Sequence, residues 1–476
     1  MTDWLLVTIG TVIAVEVFLR TPFKRVLNDL TRAAQKAHKT LSAKFVSDNW
    51  KEAVLPRYAS TILKNSVLLF ACLVLTILPV VLIDLIGARF DIETLATMTT
   101  GRGVVYSILT ASLYALIRAQ VLNRAEYSPL QKLLHYLALS SAYVGEASFD
   151  IEMRTNDFKT NSVDDQPHVF VTGLARAGTT ILMRSIYATG QFASLTYADM
   201  PFVLAPNLWS KIAGKSEPAA SLKERAHGDG IMVNYDSPEA FDEVFWQVFV
   251  KNDYVTKDGL RAHDAGPEVI QNYRRYVCAI ANKYKKSRYI SKNNNNVLRL
   301  ESIHRAFPNA TVLIPFRDPR QHAFSLLRQH QMFLVKQRQD PFVRRYMSWL
   351  GHYEFGSTHK RFRNEMTVFR ITDTNSIDYW LEQWITVYRF LLDHPLAGSG
   401  KLVFLSYERM CQNSDRVWRK LCSLLDLEHS ITPDFIARVS NTPQPDDRSL
   451  VESATETYAL LDRKCRDSLE LQTHKE

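Results

Sequence analysis

Val169 to Tyr187, VFVTGLARAGTTILMRSIY, is the stretch from which the fold of this 476-residue chain follows. A short apolar strand runs into the loop GLARAG, bounded by Gly173 and Gly178, and Thr179 and Thr180 stand where a helix begins. That layout surrounds an anion with backbone N–H groups and a helix N-terminus, the mechanics of a phosphate-binding loop. Nucleotide hydrolases of this kind carry lysine directly after the second glycine. Here Thr179 occupies that position, and the only cation inside the loop is Arg176. The loop therefore points to a phosphate ligand other than the one a Walker-type loop holds.

Further apolar runs extend the pattern. Strands are predicted at Phe192–Tyr197, Tyr289–Ile290, Val312–Phe316 and Leu402–Ser406, with helical stretches between them, including Val297–Phe307. Short strands alternating with helices define an α/β class with a parallel sheet. Ligands then gather at the carboxyl ends of the strands. The composition, 46% apolar with 24 Phe, is ample for a core of that size. Five scattered cysteines show neither metal spacing nor a disulfide framework, which points to a reducing compartment.

GLARAGTT resembles the 5′-phosphosulfate loop of sulfotransferases that use 3′-phosphoadenosine 5′-phosphosulfate (PAPS), whose membrane-bound and bacterial members carry something close to P-R-S-G-T-T. The stretch VLIPFRDPRQHAFSLLRQH, residues 312–330, resembles the family's 3′-phosphate motif: a strand ends in Arg317 and Ser325 follows eight residues later. The resemblance covers roughly residues 167–427. It implies a P-loop-like sulfotransferase domain, PAPS as co-substrate and no metal. It also implies a cradle of Gly173, Arg176, Ala177, Gly178, Thr179 and Thr180, with Arg317 and Ser325 on the 3′-phosphate and Arg320 and Arg328 nearby. Lys292, after the third strand, matches the family's lysine near the bridging oxygen. LSYERM resembles the Y-E-D-L element, which places Tyr407 and Glu408 in support of the cofactor pocket, and Arg448 matches a closing basic segment.

Sulfuryl transfer also needs a base for the acceptor. His227 has the right intrinsic pKa near neutrality. Asp199 stands about where tyrosylprotein sulfotransferases carry their catalytic glutamate. Glu239 and Glu243 lie in DSPEAFDEVFW, similar to the S-P-E-E-D-E segment of bacterial members, and are expected at i and i+4 of one helix that Ser237 and Pro238 would start. His227 ranks first, Asp199 second and the glutamates third. Four asparagines, Asn293 to Asn296, either build a turn or offer amides to a polar ligand. An acceptor pocket is expected from residues 199–209 and 325–375, where aromatics such as Trp209, Trp246 and Trp349 either stack on a sugar or fill the core.

The first 125 residues read as a helical, membrane-anchoring region. Residues 65–88 form the strongest candidate span, broken only by Pro79 and Asp84, and residues 4–20 and 103–121 are shorter candidates. Buried helices of a soluble α-domain are the plain alternative. Between the first two candidates lie nine Lys/Arg against three acids, predicted to form helix along an anionic membrane surface on the cytoplasmic side. The +9 net charge is thereby explained without nucleic acid. Three spans put the catalytic domain in the cytoplasm, at the inner membrane of a bacterium, where PAPS is made; two spans put it outside. A connecting helix at 128–144 and a polar linker at 157–166 lead to the catalytic domain, 167–476.

The leading expectation is a membrane-anchored sulfotransferase acting on a hydroxyl or amine of a lipid, glycolipid or saccharide. A P-loop kinase or nucleotide hydrolase, and a non-catalytic nucleotide-binding scaffold, are the alternatives.

Overall fold

The computed structural model describes residues 2–42, 48–90, 93–122, 129–156, 163–213, 223–224, 232–233, 236–363, 369–428, 432–436 and 442–470. The chain divides into two compact units, Met1–Gln131 and Lys132–Glu476.

The first unit is helical. Helix α1 (Thr2–Arg20) is followed by α2 (Phe23–Ser42), α3 (Asp48–Gly87), a short helix Thr94–Thr99 and α4 (Gly101–Leu122). The basic segment is not one surface helix. Its second half is continuous with the apolar half of α3, which runs through Pro56 and Pro79 without ending, while α2 packs back along α3. Helix α1 also packs against α3 and α4. Trp4 meets Tyr106 edge-on at 4.9 Å and Thr8 bonds Tyr106 at 2.9 Å. Further along both helices, Glu16 accepts from Tyr114 at 2.9 Å and from Arg118 at 2.6 Å. Rising numbers meet rising numbers, so α1 and α4 run parallel. Their outer faces are apolar and open: Leu5, Ile9, Ile108, Leu109 and Leu113 are all exposed, as are Phe70, Leu85 and Ile86 of α3. Among the described residues, one helix, Val54–Gly87, is long and apolar enough to cross a membrane.

The second unit is built on a five-stranded sheet of β1 (Val169–Val171), β2 (Phe192–Ala193), β3 (Arg288–Lys292), β4 (Thr311–Phe316) and β5 (Leu402–Ser406). Their order is β2-β3-β1-β4-β5, and every pairing is parallel. Apart from the half-buried Thr311, every residue of the five strands is buried, as expected of a parallel sheet covered on both faces. Chain leaving β1 returns on the β2–β3 side, whereas chain leaving β4 passes to β5 on the other. The crevice between these divergent connections is where open α/β sheets bind ligands. Helix α5 (Thr179–Tyr187) follows β1, α6 (Pro267–Tyr284) precedes β3, α7 (Pro319–Gln339) follows β4, and α8 (Ile377–Asp393) precedes β5. Helix α9 (Arg448–Glu470) packs on α8 and β5.

Several boundaries differ from the sequence expectation. The connecting segment forms two helices, Pro129–Leu139 and Ala142–Thr155, and Phe149 and Met153 of the second belong to the α/β core. The second strand stops at Ala193. Beyond it, Thr196 pairs in an isolated bridge with Pro238, which keeps the 237–239 segment extended rather than helical. The helix there is Glu243–Phe249, so Glu239 precedes it and the two glutamates do not share a face. Residues 297–307 are split at Arg299 into a 3₁₀ turn, Asn294–Leu298, and a helix, Leu300–Ala306.

Arg299 explains that break. Its guanidinium, wholly buried, bonds both carboxylate oxygens of Glu243 at 2.8 and 3.2 Å and stacks over Trp246 and Tyr254. Tyr254 donates to the same carboxylate at 2.5 Å and Asn293 at 2.7 Å. Breaking one side of a buried pair strands the other charge away from water. Arg299→Met is expected to lower folding stability by about 3–5 kcal/mol, read from denaturant midpoints of the full chain.

Candidate active site

The loop from Gly173 to Gly178 leaves β1 at the crevice. Gly173 has φ 121° and Gly178 φ 93°, conformations open to glycine, and Arg176 holds φ 71° although it has a side chain. A Cβ on Gly178 would lie 2.5 Å from Cδ2 of Tyr407, so the ring closes on the backbone there. The α5 amides of Thr179, Thr180 and Ile181 have no carbonyl within their helix to bond, which leaves a first turn of N–H donors at the loop.

Helix α7 grips this loop from the other side of the crevice. Arg317, the first residue past β4, donates through Nη1 to the Arg176 carbonyl at 3.2 Å. Arg176 in turn donates from Nε to Ser325 Oγ at 3.4 Å. The two sequence motifs are thus one cluster, with Arg317 also 5.3 Å from the centre of the Tyr407 ring. His322 lies between Arg317 and Ser325 on α7. Trp384 of α8 donates its indole N–H to His322 Nδ1 at 3.1 Å, which fixes the tautomer, and Nε2–H then donates to the Ala175 carbonyl at 2.8 Å. Arg320 and Arg328 project from the helix into solvent, and Arg320 bonds Gln444 at 3.1 Å, close in sequence to the exposed Arg448 that starts α9. Glu408 accepts from the Asp318 amide at 2.8 Å and so fixes the turn into α7.

Lys292 closes β3 opposite Val171, beside the loop, and its ammonium lies 3.8 Å from Glu239 with both side chains buried. Of the base candidates among the described residues, Glu239 is the one the fold brings to Lys292. Asp199 is a cap: it accepts from the Thr196 amide and from Tyr284, each at 2.7 Å, and pairs with Lys283. Glu243 is saturated by Arg299, Tyr254 and Asn293, as described. His227 lies outside the described residues. The asparagines are chiefly turn architecture. Asn293 accepts from the Asn295 amide, and the Asn295 side chain bonds Gly351 O at 3.0 Å. Trp246 fills the core, Trp209 packs on Phe202 and Trp349 on Phe342.

Two residues beside Lys292 carried no signal in the sequence. Glu354 accepts from Asn294 at 2.9 Å, and His352 Nδ1 stands 3.6 Å from its other oxygen. Burial opposes ionisation of Glu354, but His352, Lys292 and Asn294 outweigh it and hold the carboxyl down at about 2. Neither residue belongs to a recognisable motif, and they meet Lys292 only through the fold. Among the described residues, no three His, Cys, Asp or Glu side chains group to hold a metal ion.

The loop after β1 and the Arg317–Arg176–Ser325 cluster thus meet at the switch point of a parallel α/β sheet. Residues 167–361 match the model of the Sulfotransferase family. A comparison with curated proteins gives no match. Among solved structures, the chain is similar to sulfotransferase STF1 from Mycobacterium tuberculosis H37Rv at 14% identity, covering 74% of this chain and 90% of that one, with a TM-score of 0.37. It is also similar to a sulfotransferase from Alicyclobacillus acidocaldarius (14% identity, 64% and 96% covered, TM-score 0.32). A third likeness is to sulfotransferase STF9 from Mycobacterium avium (11% identity, 77% and 82% covered, TM-score 0.35).

Burial, with the nearby Arg317 charge, pushes His322 down to about 3. In the unfolded chain imidazole protonates near 6.5. The stability that neutral His322 contributes is therefore complete above about pH 6.5 and is lost as pH falls toward 3. The advantage of the wild type over His322→Gln in melting temperature is expected to shrink between pH 7 and pH 4.5.

Proposed function

We propose that this protein is a membrane-anchored sulfotransferase that moves a sulfuryl group from PAPS to a hydroxyl or amine. The observation that carries the reading is the Arg317–Arg176–Ser325 cluster, which joins a 5′-phosphosulfate cradle to a 3′-phosphate site across one crevice. The cradle fits the phosphosulfate by its first-turn amides, the Thr179 and Thr180 hydroxyls and the Arg176 guanidinium, and Tyr407 walls the site. In the transfer, the acceptor oxygen or nitrogen forms a bond to sulfur as the bond from sulfur to the bridging oxygen breaks. The electron pair passes to the 5′-phosphate oxygen, where Lys292 neutralises the growing charge. The acceptor proton goes to Glu239, and adenosine 3′,5′-bisphosphate leaves.

The outward apolar faces of α1, α3 and α4 support a bilayer as their surroundings. Parallel packing of α1 and α4, with α3 between them in sequence, supports three crossings. With the basic 21–64 segment in the cytoplasm, the catalytic unit then follows α4 into the same compartment.

Calorimetric titration of the full chain with adenosine 3′,5′-bisphosphate, with ADP in parallel, tests the cofactor. Tight binding of the bisphosphate and little of ADP is expected, and Arg317→Ala should abolish most of that preference. Preference for ADP or ATP overturns the reading in favour of a kinase or hydrolase, and binding of neither favours a scaffold. Lys292→Ala is expected to cut kcat by roughly 10²–10³ while the bisphosphate dissociation constant stays nearly unchanged. A pure affinity defect would remove Lys292 from the transition state.

A further inference from the structure

The helix Pro129–Leu139 is apolar on two sides. Its inner side is packed: His135 and Ala138 are buried, and His135 meets Phe342 and Tyr346 of the helix Pro341–Trp349 edge-on, at 6.4 and 5.2 Å. Lys132 pairs with Asp340 at 2.9 Å and holds the same two helices together. Its outer side is open. Leu133, Tyr136 and Leu137, spaced i, i+3 and i+4 and therefore on one face, are each half exposed. The run continues past Ser140 and Ser141 into the next helix, where Tyr143 is 84% exposed and Val144 is exposed beside it. Tyr136 also meets Trp349 edge-on at 5.9 Å, and Arg345, one turn before Trp349, is exposed. A surface helix in water keeps its apolar residues on the packed side, whereas one that is apolar all round is covered by protein or by lipid.

We propose that this face is where the catalytic unit rests on the bilayer, with Tyr136, Tyr143, Trp349 and Arg345 among the phospholipid headgroups and Leu133 and Leu137 at the acyl boundary. The inference rests on the membrane-anchored reading and goes beyond it, since an anchor needs only α1, α3 and α4. Continuity of the chain names the occupant. Helix α4 ends at Leu122, and the six residues 123–128 lead to Pro129. A segment of that length reaches about 20 Å when extended, so the helix begins near the bilayer surface at which α4 leaves. The side chains suit that place. Tyrosine and tryptophan join an apolar ring to a polar edge and collect at membrane–water boundaries, and arginine lays its stem on apolar surface while its guanidinium reaches phosphates. Glu146 and Asp150, exposed on the turns after Tyr143, mark where the face ends. Beyond Trp349 the chain passes through Gly351 to His352 and Glu354, so the resting face adjoins a segment of the candidate site.

The test places the photocrosslinker p-benzoylphenylalanine, one position at a time, at Leu137 and Tyr143 of the full chain in nanodiscs of phosphatidylcholine and phosphatidylglycerol. Leu113, exposed on α4, is the positive control, and Leu460, exposed on α9, is the negative one. After illumination, mass spectrometry of the intact protein reads the adduct. A gain of one phospholipid is expected at Leu137 and Tyr143 as fully as at Leu113, with none at Leu460. Should either variant not fold, the photocrosslinker at Leu133 takes its place. Lipid adducts at Leu113 that are missing from either test position overturn the inference and leave the anchor standing. Their absence from Leu113 as well refutes the anchor, and the inference with it. A cross-linked dimer assigns the face to a second copy, and a cross-link within one chain assigns it to the protein's own helices; each overturns the inference. Adducts at Leu460 equal to those at the test positions also overturn it, because exposure alone would then account for them.

Discussion

One hydrogen bond ties the candidate site together: the His322 imidazole, holding the carbonyl of Ala175. It joins the loop after β1 to the helix after β4, two elements that meet only because their strands are neighbours in the sheet. Trp384 orients the ring from a third element, so the phosphate loop is anchored through α7 to α8. Arg317 adds a second tie to the next residue of the loop. A loop held at consecutive carbonyls keeps its amides turned the other way, which is the arrangement an anion needs. The left-handed conformation of Arg176 is then a consequence of the clamp rather than a freedom of the residue.

The local parts of this arrangement were legible in the sequence. Apolar strands, two glycines and a strand-terminal arginine each act within a few residues of themselves, so VFVTGLARAGTT and VLIPFRDPR announce their own structure. What depended on distant pairing was not legible. Glu243 looked like a base because nothing nearby revealed Arg299, 56 positions further on. Asp199 is claimed by Lys283 and Tyr284, over 80 residues away. Glu354 and His352 had no pattern to mark them at all, and only the fold sets them beside Lys292. The helix expected after Pro238 failed for a similar reason, because a bridge to Thr196 outweighed the local preference of proline for a helix start.

The helical unit shows the same division. Hydropathy found the apolar stretches, but the pairing of α1 with α4 through Glu16, Tyr114 and Arg118 is a fact of three dimensions. A carboxylate and a guanidinium that satisfy one another can sit between apolar helices where either alone would be expensive. Glu16, which merely interrupted a hydrophobic run in the sequence, is part of what holds two helices in register.

Helix α3 carries a mechanical consequence. Its 40 residues form one unbroken rod, about 60 Å long at 1.5 Å per residue, against a hydrocarbon layer of about 30 Å. A hydrocarbon layer of that thickness would cover about half of a rod of this length, leaving outside it the half along which α2 folds. The rod acts as a ruler: lengthening or shortening it by a turn would move its polar end by about 5.4 Å and rotate every side chain beyond the change around its axis.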